Sequence, residues 1–152
     1  MKKLIMSFVY AFLGLWYCLK SERNFRIHTF AAITVLGILP RYNLTSTQIA
    51  IIFMVIGFVL VCEIFNTAIE SLANSVTTEV NPLIKTCKDV AAGGVYVSTL
   101  CAVGIAWQIL WNTKVLGDLI KACFSAPINL TIFVLYILVG ILFVFLPERK
   151  KK

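Results

Sequence analysis

The apolar positions of this chain come in blocks separated by short charged knots, and the block lengths set the elements. The longest block, Ile49 to Cys62, is fourteen apolar or glycine residues without a break. It lies inside a proline-free stretch, Thr47 to Ala73, whose 27 residues make a helix of about 40 Å at ~1.5 Å per residue. That exceeds the ~30 Å apolar core of a bilayer, so one end emerges. Before it, Ile27 to Pro40 is short for a span and borrows a turn from either flank, which predicts a span over 26–44. Arg41 and Asn43 mark its far side, and Thr45, Ser46 and Thr47 offer hydroxyls to cap the next helix. Pro82 interrupts the loop after the long helix. Residues 90–111 form the next span, with Trp107 and Trp111 one turn apart as interfacial anchors. Pro127 and Pro147 bracket a further one, Ile128 to Leu146, with 112–126 as an extracytoplasmic loop and a basic tail after it.

The first 21 residues imitate a signal peptide, with Lys2 and Lys3 before an apolar run. A usual cleavage signal is absent, and Leu15-Trp16-Tyr17-Cys18 is too bulky for a lipoprotein box. Lys3, Ser7, Tyr10, Gly14, Tyr17 and Ser21 recur at alternating steps of four and three, opposite Ile5, Phe8, Phe12, Trp16 and Leu19. That stripe predicts an amphipathic helix, 1–21, lying in the membrane interface; the alternative is an uncleaved signal-like span.

Composition confirms the solvent. Sixty percent of residues are hydrophobic and the mean hydropathy is +0.91, above the ~45–50% apolar content of soluble domains. The class is all-α and integral to the membrane, with one bundle and no second domain in 152 residues. The net charge of +7 does not call for nucleic acid, because the cations flank apolar segments where headgroups and the positive-inside rule account for them. With the N-terminus in the cytoplasm, eleven Lys and Arg side chains fall inside, against Arg41, Lys114 and Lys121 outside. This orientation puts Glu22, Glu70 and Lys88 on the side where ATP is. Five cysteines show neither CxxC nor metal-ligand spacing, which suits small-residue packing.

The chemistry is at the end of the long helix. Glu63, Asn66 and Glu70 are spaced by three and four and share one face. A carboxylate at mid-membrane costs ~3 kcal/mol and usually faces the bundle interior with a function to perform. Mg²⁺ at phosphoryl-transfer sites takes one or two protein carboxylates plus substrate phosphates. Glu22 and Glu70 can supply them if the first charged knot packs beside the long helix. Lys88, next to Asp89, can neutralise phosphate charge. Glu63, deeper, is placed to accept the proton of a lipid hydroxyl. Asp89 has a second reading as a helix cap, and Gly93-Gly94 reads as close helix packing. His28 reads as a boundary hydrogen-bonding residue. No Walker loop, protein-kinase signature or Ser/His/Asp arrangement occurs.

"ERNFRIH" (Glu22 to His28), "CEIFNTAIESLAN" (Cys62 to Asn74) and "EVNPLIKTCKDVAAGGV" (Glu79 to Val95) resemble the small prokaryotic membrane kinases of diacylglycerol and undecaprenol. The resemblance covers roughly residues 1–111, and its core is Glu-x-x-Asn-Thr-Ala-x-Glu. It implies a homotrimer of protomers with an interfacial helix and three spans, and active sites shared between subunits. It implies Glu63 as general base, with Asn66 supporting it, and Glu22 and Glu70 as magnesium ligands. Lys3, Tyr10, Glu22, Glu70, Glu79, Val80, Asn81, Lys88 and Asp89 would line the ATP site. Asn74 stands where the family usually has aspartate, Lys3 where an arginine is found, and the fourth span exceeds the usual family length. The expected activity is phosphorylation of undecaprenol at the cytoplasmic face of a prokaryotic cell membrane, with diacylglycerol as the alternative acceptor. An ion- or proton-conducting transporter or channel subunit is the alternative of another class.

Overall fold

A computed structural model describes residues 2–76 and 81–145. Six α-helices account for most of them: α1 (Lys2–Ser21), α2 (Arg23–Ile38), α3 (Ser46–Val76), α4 (Pro82–Leu110), α5 (Thr113–Phe124) and α6 (Pro127–Val144). Four of these, α1, α3, α4 and α6, are long and apolar enough to cross a membrane. Such a chain fits an integral membrane protein.

The local causes of the boundaries are visible. α2 ends because Pro40 has no N–H to continue the ladder, and the chain tightens into a 3₁₀ turn over Leu39–Arg41. The helical part is therefore 16 residues, ~24 Å, shorter than the expected span over 26–44. α3 opens on a reciprocal capping box: Gln48 N–H donates to the Thr45 hydroxyl at 3.3 Å, and Thr45 N–H to Gln48 Oε1 at 2.9 Å. It runs 31 residues, about 46 Å, so the excess over a bilayer core is larger than its apolar block alone implies.

Two segments are more helical than their reading as a span and a connecting loop implies. The span expected over 90–111 begins at Pro82, because Asn81 Oδ1 caps the Leu83 and Ile84 amides and proline suits the first helical turn. Asp89 is therefore inside α4 and caps nothing. Segment 112–126, expected as a loop, carries α5, which Asn112 caps through the Lys114 and Val115 amides. Val115, Leu116, Leu119, Ile120 and Cys123 give α5 an apolar side, while Lys114, Asp118 and Lys121 oppose it.

α4 returns along α3 in the most extensive pairing of the bundle. Ile52, Val59, Glu63, Asn66 and Thr67 make the buried stripe of α3, facing Val95 and Ser98 of α4. α2 lies against both α3 and α6. Its pairing with α6 is antiparallel and steps by four residues: Arg26 meets Val144, Phe30 meets Gly140, and Thr34 meets Tyr136. Phe30 also stacks on Tyr136, with ring centroids 5.1 Å apart. The C-terminal end of α6 therefore sits beside the start of α2. By contrast α1 exposes nearly all of its side chains, with only Cys18 buried.

Candidate functional site

The site grows from one face of α3. Glu63 is 1% exposed and Asn66 8%, so the three–four spacing does point the acidic face inward. One turn on, Asn66 Nδ2 donates to Glu70 Oε1 at 3.2 Å, which holds the half-buried Glu70 carboxylate on that face. Thr67 adds a back-bond, its hydroxyl donating to the Glu63 carbonyl at 2.9 Å. Among the described residues three buried side-chain oxygens have no hydrogen-bond partner, and two of them, Glu63 Oε1 and Asn66 Oδ1, are at this site, the third being the Tyr42 hydroxyl. Buried acceptors are rarely left so, and a catalytic role is one of the reasons for which they are.

From α2, the imidazole of His28 reaches across to Glu63. Nε2 lies 3.2 Å from Oε1, an ion-pair distance, although the ring is not aligned to donate a hydrogen bond. Glu22 stands at the N-cap of α2 in extended conformation, and its side chain does not cap the helix. Cys18, buried at the end of α1, ties the parts together. The Thr67 side chain bears on its thiol, and so do the charges of Glu22 and Glu63. The first charged knot packs beside the long helix, through the contact of His28 with Glu63.

Two cavities meet here. A polar pocket of about 300 Å³ is bounded by Glu63, Asn66, His28, Asn24 and Tyr96 among others. An apolar groove of about 200 Å³ runs away from it between α2, α3 and α4, past Ile52, Ile56 and Val59 to Leu110. His28 and Thr99 line both.

The remaining expected nucleotide residues divide. Lys88 reaches the end of α3, where its Nζ donates to Asn74 Oδ1 at 3.0 Å; the residue that departs from the family pattern is the one that holds this lysine. Asp89 is exposed on α4, Asn81 caps that helix, and Lys3 and Tyr10 stay exposed on α1. Glu79 and Val80 lie outside the described residues. His28, Thr67 and Cys18 were not expected at the site. The only usable signal was that His28 is the chain's single histidine, set in an apolar helix.

As a metal site, the described residues hold no group of three or more His, Cys, Asp or Glu side chains. The Glu70 carboxylate and the amide oxygen of Asn66 beside it are hard oxygen donors. That set fits Mg²⁺ completed by phosphate oxygens and does not fit a softer ion.

Long apolar helices with an inward acidic face at one end, beside a groove, fit a multi-pass membrane protein. The comparisons narrow this. The family model described as prokaryotic diacylglycerol kinase matches residues 9–110, and the chain belongs to that family. A diacylglycerol kinase of Synechocystis sp. is 36% identical over 108 residues, covering 70% of this chain and 62% of that protein. An undecaprenol kinase of Bacillus subtilis is 37% identical over 107 residues, 69% of this chain and 87% of its own length. A diacylglycerol kinase of Haemophilus influenzae is 34% identical over 106 residues, 68% of this chain and 87% of its own. The chain spans less than two thirds of the Synechocystis protein. No solved structure matches. α5 and α6 lie beyond the family match.

Proposed function

We propose that this chain is a membrane lipid kinase that moves the γ-phosphoryl group of Mg-ATP to the hydroxyl of undecaprenol. One observation carries the reading: the buried carboxylate of Glu63 bounds a polar pocket that adjoins an apolar groove. A lipid alcohol has that shape, an apolar tail ending in one hydroxyl. Family membership supports phosphoryl transfer and leaves the ion-conducting reading of Glu63 without support.

The chain's own residues divide the work. The tail lies along the groove and brings the hydroxyl to Glu63. As the hydroxyl oxygen bonds to the γ-phosphorus and the bond to the departing ADP oxygen breaks, Glu63 takes the hydroxyl proton. Asn66 holds Glu70 in place. Glu22 and Glu70 hold Mg²⁺, which when bound spreads and neutralises charge on the phosphate oxygens. Lys88, steadied by Asn74, adds positive charge at the cytoplasmic end. Lys3, Tyr10, Glu79, Val80, Asn81 and Asp89 complete the nucleotide site, part of it from a neighbouring subunit of a homotrimer. In this arrangement α1 lies in the interface, α2, α3, α4 and α6 cross the cytoplasmic membrane, and α5 lies on the outer face.

Undecaprenol ranks first because "ERNFRIH" and "KDVAAGGV" resemble the undecaprenol-kinase branch. Diacylglycerol is the second reading, favoured by the names of two of the three relatives. The test is direct. Purified protein with radiolabelled Mg-ATP and equal mole fractions of the two lipids should give mainly undecaprenyl phosphate. Phosphatidic acid as the main product reverses the choice, and no phospholipid from either removes the proposal.

A further inference from the structure

The mechanism above leaves unused the polar contact that reaches the acidic face from another helix: His28 on α2 against Glu63 on α3, with Nε2 3.2 Å from Oε1. Glu63 sits on a side chain with three rotatable bonds, and a base must present one oxygen to a hydroxyl within a narrow range of position. Along α3, Asn66 is already engaged with Glu70 and Thr67 with a backbone carbonyl. Nothing on Glu63's own helix therefore orients its carboxylate, and Oε1 accepts no hydrogen bond. His28 reaches that oxygen from another helix, its Nε2 within hydrogen-bonding distance of Oε1. It is largely buried itself, at 19% side-chain exposure. It also lies with Thr99 where groove and pocket join, so a hydroxyl arriving along the groove passes it immediately before meeting Glu63.

We propose that His28 is the positioning residue for Glu63. Its Nε2–H donates to Oε1, pins the carboxylate across the α2–α3 contact, and leaves the second carboxylate oxygen to face the acceptor hydroxyl. The inference rests on the reading of Glu63 as the base. It assigns the pair a shared task that neither residue's place in the sequence reveals. An imidazole in this role acts on the chemical step and not on nucleotide binding.

The experiment uses the full chain in lipid nanodiscs. His28→Ala should lower kcat on the order of 10–100-fold, the scale of misplacing a reacting group, with the KM for Mg-ATP unchanged. His28→Gln, whose amide N–H can reach the same oxygen, should recover most of the rate. In ¹³C-carboxyl-glutamate protein, the Glu63 signal, identified by its loss in Glu63→Gln, should move in His28→Ala and return in His28→Gln. An unmoved signal, a wild-type kcat in His28→Ala, or a KM for Mg-ATP rising in step with the loss would overturn the proposal. The underlying reading fails separately, by wild-type turnover in Glu63→Gln. Melting temperature and oligomer size of each variant show whether a loss reflects unfolding, and in that case the His28→Gln signal alone decides.

Discussion

Replacing Arg26 with methionine tests how the last helix is held. Arg26 is 1% exposed, yet it carries a full charge, so its partners must repay its desolvation. Its Nε donates to the Val144 carbonyl at 3.1 Å, and its Nη1 to the carbonyls of Leu19 and Lys20 at 3.1 and 3.2 Å. All three carbonyls belong to the last turn of a helix, α6 or α1, where no intrahelical donor is left and where the macrodipole favours a cation. A hydrogen bond to a charged group is worth ~1.5–3 kcal/mol. Counting the shared Nη1 donation once gives two such bonds, ~3–6 kcal/mol. Water can replace the donor at the end of α1, so a loss of ~3 kcal/mol is expected, about 100-fold in the folding equilibrium. The assay is SDS-driven unfolding in mixed micelles, followed by circular dichroism, on four proteins: the full chain and a chain ending at Asn112, each with and without Arg26→Met. The truncation removes α6 and with it the Val144 acceptor, so the cycle measures what Arg26 gains from α6, and the coupling should be at least the ~1.5–3 kcal/mol of that bond. An Arg26→Met cost equal in the long and short chains would show that the Val144 contact contributes nothing, and with it the docking of α6 on α2 would lose its polar anchor.

Other outcomes follow from the same geometry. Gly140→Ala drives a methyl group into the outer edge of the Phe30 ring, so overpacking should cost ~1–3 kcal/mol in the same unfolding assay; a neutral effect would refute the α2–α6 register. Glu22→Ala and Glu70→Ala should each weaken Mg-dependent binding of a non-hydrolysable ATP analogue, measured by calorimetry, and the double variant should lose little more than either alone. Fully multiplicative losses would assign the two carboxylates to separate sites. A cysteine added after Lys152 should be labelled from the same side as one introduced near Glu22, since α6 ends beside the start of α2; labelling from opposite sides would refute that pairing.

What could be read from the chain was what a single helix displays. The face holding Glu63, Asn66 and Glu70 follows from spacing alone, and so does the burial of Glu63, because a carboxylate at the end of fourteen apolar or glycine residues has few favourable places to go. The capping role of Thr45 was legible for the same local reason. The first turns of α4 were not read because its apolar density begins at Val90, although Asn81-Pro82 is a start signal at the level of two residues. α5 was missed because Asn112 and Gly117 resemble loop residues, while its alternation of apolar pairs and charges is only twelve residues long. Contacts between helices were beyond reach. Nothing local tells that His28 meets Glu63, or that Arg26, Phe30 and Thr34 face Val144, Gly140 and Tyr136, since each depends on a register set by every packed residue at once. Gly140 was the clue of that kind: a lone glycine in an otherwise bulky helix marks where a large side chain approaches.

The central claim is that Glu63 takes a proton from a lipid hydroxyl while phosphoryl transfer occurs. Its most direct test is the transfer rate from radiolabelled Mg-ATP to undecaprenol by Glu63→Gln beside the unaltered protein, with nucleotide affinity measured on the same samples. Glutamine keeps the size and the hydrogen-bonding reach of the side chain and removes the base, so the rate should fall on the order of 10²–10⁴-fold while Mg-ATP binds as before. Turnover near that of the unaltered protein would contradict the account.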